Sequence, residues 1–284
     1  MRRFRAMLAG LREVLDPAID EGRGVGAFNV ICLEHAEALI WGAETARLPV
    51  ILQVSENAVL YHRSLEPILT ATVALARNAD IPAVVHLDHV TDVDLVRAGV
   101  TLGATSVMFD GSRRPYDENV AITADVVRHC HKHGIQVEAE LGEVGGKDGV
   151  HAVTARTKPD EAVTFVNDTG VDALAVAVGS SHAQVERTTT LDLELAAQLA
   201  AVVDVPLVLH GSSGVPDAEL VRAVQAGLTK INIGTHLNVT LTRSVRDTLA
   251  GQPRLVDPRK YLGPARDKVA DEAARLLTLL AGSA

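Results

Sequence analysis

Aromatic residues make up only 3% of this 284-residue chain, and it contains two cysteines, Cys32 and Cys130. A core so poor in rings is built from branched and small aliphatic side chains, the usual filling of buried parallel strands. Two cysteines do not make a disulfide framework, and a reducing cytoplasm is the compartment that fits. A basic surplus is missing too: the formal charge is -9 at pH 7. That argues against nucleic acid as a partner, because binding a phosphate backbone takes clustered Lys and Arg. No apolar run reaches the length that spans a membrane. Arg2, Arg3 and Arg5 open the chain, but the apolar stretch that a signal peptide carries does not follow them.

Against these absences stands a hydrophobic content of 47%, enough for one large core. Single α/β barrels run to about 250 residues, so one domain over 1–284 with a C-terminal helical extension is expected. Short apolar runs recur at Gly24 to Val30, Pro49 to Ser55, Pro82 to Asp88, Ser106 to Asp110, Ile135 to Gly142, Ala173 to Gly179, Pro206 to Ser212 and Thr229 to Thr235. Between them lie helix-period stretches such as Leu33 to Arg47, Leu65 to Asn78, Tyr116 to His133, Leu191 to Val202 and Asp217 to Ala226. Strand alternating with helix means parallel crossovers. Periodicity alone allows a closed (β/α)8 barrel or a doubly wound open sheet.

The position of the polar residues favours the barrel. Asn29, Ser55, Asp88, His89, Asp110, Glu140, His210, Ser212, Asn232 and Thr235 sit at or just past the C-terminal ends of the apolar runs. In a (β/α)8 barrel that face carries the active site. The stretch Glu143 to Pro159, rich in Gly and polar residues, reads as a mobile loop or lid.

His89, His182 and His210 follow or end the third, sixth and seventh runs. One such histidine is ordinarily a hydrogen-bonded strand end, whereas three on one face are candidate zinc ligands that leave a fourth position open. Asp110 and Glu140 add oxygen donors at the same rim, as partners of the ligands or as an alternative metal position. His129-Cys130-His131-Lys132-His133 looks like a metal box only as letters. It ends a helix at the opposite face, where the helix dipole and solvation explain it. Phosphate in barrels is often gripped by the loops after strands seven and eight, here Gly211-Ser212-Ser213-Gly214 and Asn232-Ile233-Gly234-Thr235. Their small residues let backbone N–H groups approach an anion.

Taken together, these motifs resemble the class II, metal-dependent fructose-bisphosphate and tagatose-bisphosphate aldolase family. The resemblance runs through Ala27-Phe28-Asn29-Val30, His86-Leu87-Asp88-His89, Val107-Met108-Phe109-Asp110-Gly111-Ser112, Glu138-Ala139-Glu140-Leu141-Gly142, Leu209-His210-Gly211-Ser212-Ser213-Gly214, Lys230-Ile231-Asn232-Ile233 and Asp257-Pro258-Arg259-Lys260-Tyr261-Leu262. It implies that His89, His182 and His210 hold a catalytic Zn2+, with Asp88 as the acid-base carboxylate. It places Asp110 and Glu140 around the metal or as its host in an alternative position, and it leaves room for a second divalent ion or a monovalent cation as a further cofactor. Gly179, Gly211, Ser213, Asn232 and Thr235 match the site for dihydroxyacetone phosphate, with Ser212 and Gly234 in the same turns. Asn29 and Ser55 would line that pocket. Arg259 resembles an arginine offered by a neighbouring subunit to the distal phosphate, which implies a homodimer or homotetramer.

Three departures stand out. Where relatives place a glutamate in the loop after strand five, this chain reads Gly145-Gly146-Lys147-Asp148-Gly149, with Asp148 or Glu143 as possible substitutes. Ala183 follows His182 where glycine is usual, which matters if the position needs positive φ. His236 stands where an acidic residue is usual, which should make the phosphate site more permissive to anions. The expected activity is reversible cleavage of a phosphorylated ketose, fructose 1,6-bisphosphate or tagatose 1,6-bisphosphate. The alternatives are an aldolase using dihydroxyacetone phosphate with another aldehyde, and a non-catalytic sugar-phosphate-binding barrel.

Overall fold

A computed structural model describes residues 7–142 and 156–282. Eight parallel strands close into one barrel in sequence order. They are β1 (Val25–Asn29), β2 (Val50–Ser55), β3 (Ala83–Val90), β4 (Ser106–Phe109), β5 (Gln136–Glu140), β6 (Ala173–Ala175), β7 (Leu207–Leu209) and β8 (Leu228–Ile233). Parallel pairing of β1 with β8 makes the seam, so the open-sheet alternative is discarded. The helices are α1 (Leu11–Asp20), α2 (Leu33–Ala46), α3 (Glu56–His62), α4 (Glu66–Asn78), α5 (Val93–Leu102), α6 (Tyr116–His131), α7 (Pro159–Thr169), α8 (Leu193–Val202), α9 (Asp217–Gln225), α10 (Thr235–Gly251) and α11 (Arg259–Leu280).

Each expected apolar run overlaps one strand, but several boundaries move. β6 stops at Ala175 because the carbonyls of Ala177 and Val178 accept from the N–H groups of Thr157 and Asp192 in flanking loops. β7 stops at Leu209, and Gly211 at φ +67 opens a 3-10 turn over Ser212–Gly214. β3 runs two residues past its expected end, to Val90. Thr235 belongs to α10 rather than to β8. Asp192 caps α8 by accepting from the Leu195 N–H at 3.1 Å, so that helix begins at Leu193. Pro159 opens α7, where a missing N–H costs nothing.

The apolar residues form two shells. Outside the sheet, Phe28, Leu52, Leu87, Phe109, Leu174 and Leu209 meet the helices. Inside the barrel, Ala27, Ile51, Val84, Met108, Ala175 and Val208 form a floor, and Leu11, Val14 and Leu15 of α1 plug it from below. At the seam, α11 packs along α2 and α10, and the Gly24 N–H donates to the Leu280 carbonyl at 2.8 Å. Among the described residues no helix is long and apolar enough to cross a membrane.

Candidate active site

Side chains alternate along a strand, so every second residue points into the barrel. Above the apolar floor the inward positions turn polar, and at the rim they bring three histidines together. The rings of His89 and His182 lie 5.1 Å apart by centroid, His89 and His210 4.6 Å, and His182 and His210 5.7 Å. One nitrogen from each falls within 4.8 Å of the others. Asp88 and His89 are neighbours in sequence, yet both line the same pocket of about 540 Å³. A regular strand would send them to opposite faces. His89 has φ +50, and the β3–β4 register shifts between Leu87 and Val90. That irregularity turns its ring back toward the mouth.

Carboxylates fix which ring nitrogen two of these histidines offer. His89 Nδ1 is 3.0 Å from Asp110 Oδ2 and His210 Nε2 is 2.9 Å from Glu138 Oε1. A carboxylate accepts, so these nitrogens carry the protons and the other nitrogen of each ring is left as a lone-pair donor. His210 is fully buried, and its Nδ1 has no hydrogen-bond partner. Burial, with His89, Lys230 and His182 nearby, holds this imidazole well below its usual pKa. A neutral, buried, unpartnered nitrogen among two further imidazoles is what a divalent metal site with an open position requires. The residues therefore fit a catalytic metal. His89, Asp110 and Glu140 form a second grouping of donor atoms within 4.8 Å.

Beneath the rim lies a closed polar layer. Lys230 Nζ is 2.8 Å from Glu138 Oε2, and His86 Nε2 is 3.6 Å from the same oxygen. All three side chains are sealed from solvent. Burial, followed by the charge of Lys230, holds His86 well below its usual pKa. Gln53 belongs to this layer and donates to Asp88 Oδ1 at 3.0 Å, while Asn29 donates to Oδ2 at 3.2 Å. Asp88 is thus held by both oxygens, with its carboxylate at the pocket wall.

Opposite Asp88 the loops after β7 and β8 form a cradle. Gly211, Ser213, Asn232, Gly234 and Thr235 all line the pocket. Gly211 is obligatory, since a Cβ there would lie 2.6 Å from the Ser181 backbone. Ser213 Oγ accepts from the N–H groups of Gly234 and His236, at 3.2 and 3.1 Å, and so ties the two loops together. Asn232 is buried with its Oδ1 unpartnered.

Several expected residues take other places. The Ser212 hydroxyl donates to the Leu209 carbonyl, and neither Ser212, Gly179 nor Glu140 is among the pocket-lining residues described. Ser55 lines the pocket while capping α3, its Oγ accepting from the Ala58 N–H. Arg259 opens α11 with its side chain 88% exposed and paired to Asp257, and it does not line this chain's pocket. Ala183 has φ +60, so the position does use the left-handed region. His236 turns to Glu272 at 2.7 Å. Burial would raise the Glu272 pKa, but hydrogen bonds from Arg275 and His236 bring it down to about 2. The imidazole is therefore committed to α11 and does not face the cradle. His129 and His133 pack ring to ring on the surface side of α6, where no third donor joins them among the described residues. Glu143, Lys147 and Asp148 lie outside the described residues, as do Arg2, Arg3 and Arg5. Sequence reasoning missed Gln53, His86, Glu138 and Lys230, although each stands two residues before a rim residue and so shares its inward face.

The family model for class II fructose-bisphosphate aldolase matches residues 9–284. The chain is 38% identical over 266 residues to the probable fructose-bisphosphate aldolase of Bacillus subtilis (strain 168), covering 92% of this chain and 93% of that protein. It is likewise 38% identical to the fructose-bisphosphate aldolase of Geobacillus stearothermophilus, with the same coverage. Among solved structures, the YdjI aldolase from Escherichia coli K12 superposes with a TM-score of 0.85 at 33% identity, covering 98% of this chain and 99% of that one. A putative fructose-1,6-bisphosphate aldolase from Coccidioides immitis gives 0.82 at 26% identity, covering 96% and 97%. A barrel whose mouth joins three histidines, a doubly anchored aspartate and a two-loop cradle, matched over nearly its whole length, belongs to the class II fructose-bisphosphate aldolase family, whose members are carbon–carbon lyases.

Proposed function

We propose that this protein reversibly cleaves fructose 1,6-bisphosphate to dihydroxyacetone phosphate and glyceraldehyde 3-phosphate, with Zn2+ held by His89, His182 and His210. The observation that carries the reading is the buried, unpartnered Nδ1 of His210, grouped with the other two imidazoles beside Asp88. When bound there, the metal acts as a Lewis acid on the ketone oxygen and eases carbanion formation next to it near neutral pH. Gly211, Ser213, Asn232, Gly234 and Thr235 hold the phosphate of the dihydroxyacetone half through backbone N–H groups and short polar side chains. Gly179 sets the turn that delivers His182. Asn29 and Gln53 orient Asp88, which takes the proton from the C4 hydroxyl as the C3–C4 bond breaks. In synthesis Asp88 returns that proton to the aldehyde oxygen. Asp110 orients His89, and Glu140 supplies the alternative donor behind it. Arg259 of a second copy closes the distal end in a homodimer or homotetramer, consistent with its exposure away from its own pocket. The two cysteines are free, which fits residence in a reducing cytoplasm.

The test is a coupled cleavage assay on fructose 1,6-bisphosphate with and without EDTA, followed by zinc add-back, alongside Asp88→Ala. Cleavage is expected to stop with chelator, to return with zinc, and to fall roughly 10²–10⁴-fold in the variant. Metal-replete protein that leaves fructose 1,6-bisphosphate intact but condenses dihydroxyacetone phosphate with another aldehyde would move the assignment to that acceptor. Absence of both reactions would leave the binding-only barrel.

A further inference from the structure

A bisphosphate presents two anionic ends, and the cradle after β7 and β8 accounts for one. The rest of the pocket wall is acidic: Glu56, Asp88 and Asp110 line it. An anion entering that half would meet like charge unless a cation stood nearby. Among the described residues, one Lys or Arg lines the pocket, and it is Arg113.

Its position follows from topology. Arg113 lies in the loop after β4, and in an eight-strand ring β4 stands opposite β8. The loop thus faces the cradle across the mouth, with the histidines between. Its backbone is anchored. The Arg114 N–H donates to the Gly111 carbonyl at 2.9 Å, closing a turn with Ser112 and Arg113 at its corners. Asp110 Oδ1 accepts from the Ser112 N–H at 3.2 Å and from its hydroxyl at 2.6 Å. Gly111 is pressed against Asn119, whose amide donates to the Glu140 carbonyl at 3.1 Å. The aspartate that orients His89 therefore also sets the turn carrying Arg113. The side chain itself is exposed at the pocket edge, on a long stem that can follow a ligand.

We infer that Arg113 determines acceptor specificity: its guanidinium pairs with an anionic group on the aldehyde half, so the protein prefers phosphorylated aldehydes to neutral ones. This role rests on the aldolase reading above and adds a contact from the chain's own subunit. It would act on the end of the substrate remote from the breaking bond, so it should weigh more on KM than on kcat.

The experiment compares kcat/KM for fructose 1,6-bisphosphate with that for fructose 1-phosphate, whose aldehyde half is uncharged, in wild type, Arg113→Ala and Arg113→Lys. The ratio of the two values is expected to fall roughly ten- to hundred-fold in Arg113→Ala, mostly through KM, and to recover in part with Lys. Because a general defect in folding or metal loading lowers both substrates together, the ratio is insensitive to it. An unchanged ratio in Arg113→Ala overturns the assignment. If wild type leaves fructose 1,6-bisphosphate uncleaved, the substrate reading fails by itself. The same ratio is then taken in condensation, with glyceraldehyde 3-phosphate against glyceraldehyde. A wild-type preference below about tenfold there would overturn the role of Arg113.

Discussion

The rim of the barrel and the layer one pleat beneath it use similar side chains for opposite ends. At the rim, Asp88, His89, His182 and Asn232 line an open pocket. Below, His86, Glu138 and Lys230 are sealed from solvent and face one another. His210 spans the two, with one nitrogen on Glu138 and the other in the histidine cluster. Groups at the rim open onto the pocket, whereas those beneath pair as ions, and Glu138 holds His210 in place. A buried ion pair is poor evidence for stability, since desolvation offsets most of its Coulomb energy. The lower layer is better read as a jig for His210.

The sharpest way to break this contrast is to remove one member of the lower layer. Lys230→Met leaves the Glu138 carboxylate buried beside two imidazoles without its cation, and should destabilise the fold by about 3–5 kcal/mol. Urea unfolding of the metal-free protein measures this without reference to activity. A loss below about 1 kcal/mol would mean that water or relaxation reaches the layer, and the two regions would no longer differ in kind. Glu138→Gln keeps the shape but removes the charge that sets the His210 tautomer. Zinc competition against a chelator should then show affinity weakened roughly 10- to 100-fold. Unchanged affinity would uncouple the layers. The smallest effect belongs to the rim itself, where Ala183 sits at φ +60. Ala183→Gly removes a left-handed penalty of about 1 kcal/mol, part of which returns as unfolded-chain entropy. A small rise in melting temperature is expected, and a fall would place the strain elsewhere.

The same contrast explains what the sequence made legible. Rim residues could be found because they end apolar runs, and a polar residue at the C-terminal end of a barrel strand has few other reasons to be there. Asp88, His89 and His210 were readable on that ground, while position 183 drew attention only because the resembling family usually has glycine there, and its left-handed φ came from the structure. Glu138 and Lys230 were not, because a charged residue in mid-strand usually marks a solvated face. Only closure of the barrel, which brings β5 within reach of β8, turns them into a pair. The early end of β6 was hidden because Val176 and Val178 are as apolar as the strand before them, while their neighbourhood is set by distant loops at Thr157 and Asp192. Arg113 escaped notice because an arginine in a loop is ordinary until that loop is known to face the cradle.

The strap formed by α11 also bears on the order of assembly. β1 has two neighbours, β2 close by in sequence and β8 near the other end of the chain. The hydrogen bond from Gly24 to Leu280 locks that seam with almost the last described residues. During synthesis β1 therefore keeps an unpaired edge until β8 has emerged. Contacts so far apart in sequence slow folding and prolong exposure of strand edges to other chains. Barrel closure is then a late, cooperative event, and shortening the C-terminus at Leu276 would penalise folding yield more than it changes the chemistry at the opposite end of the barrel.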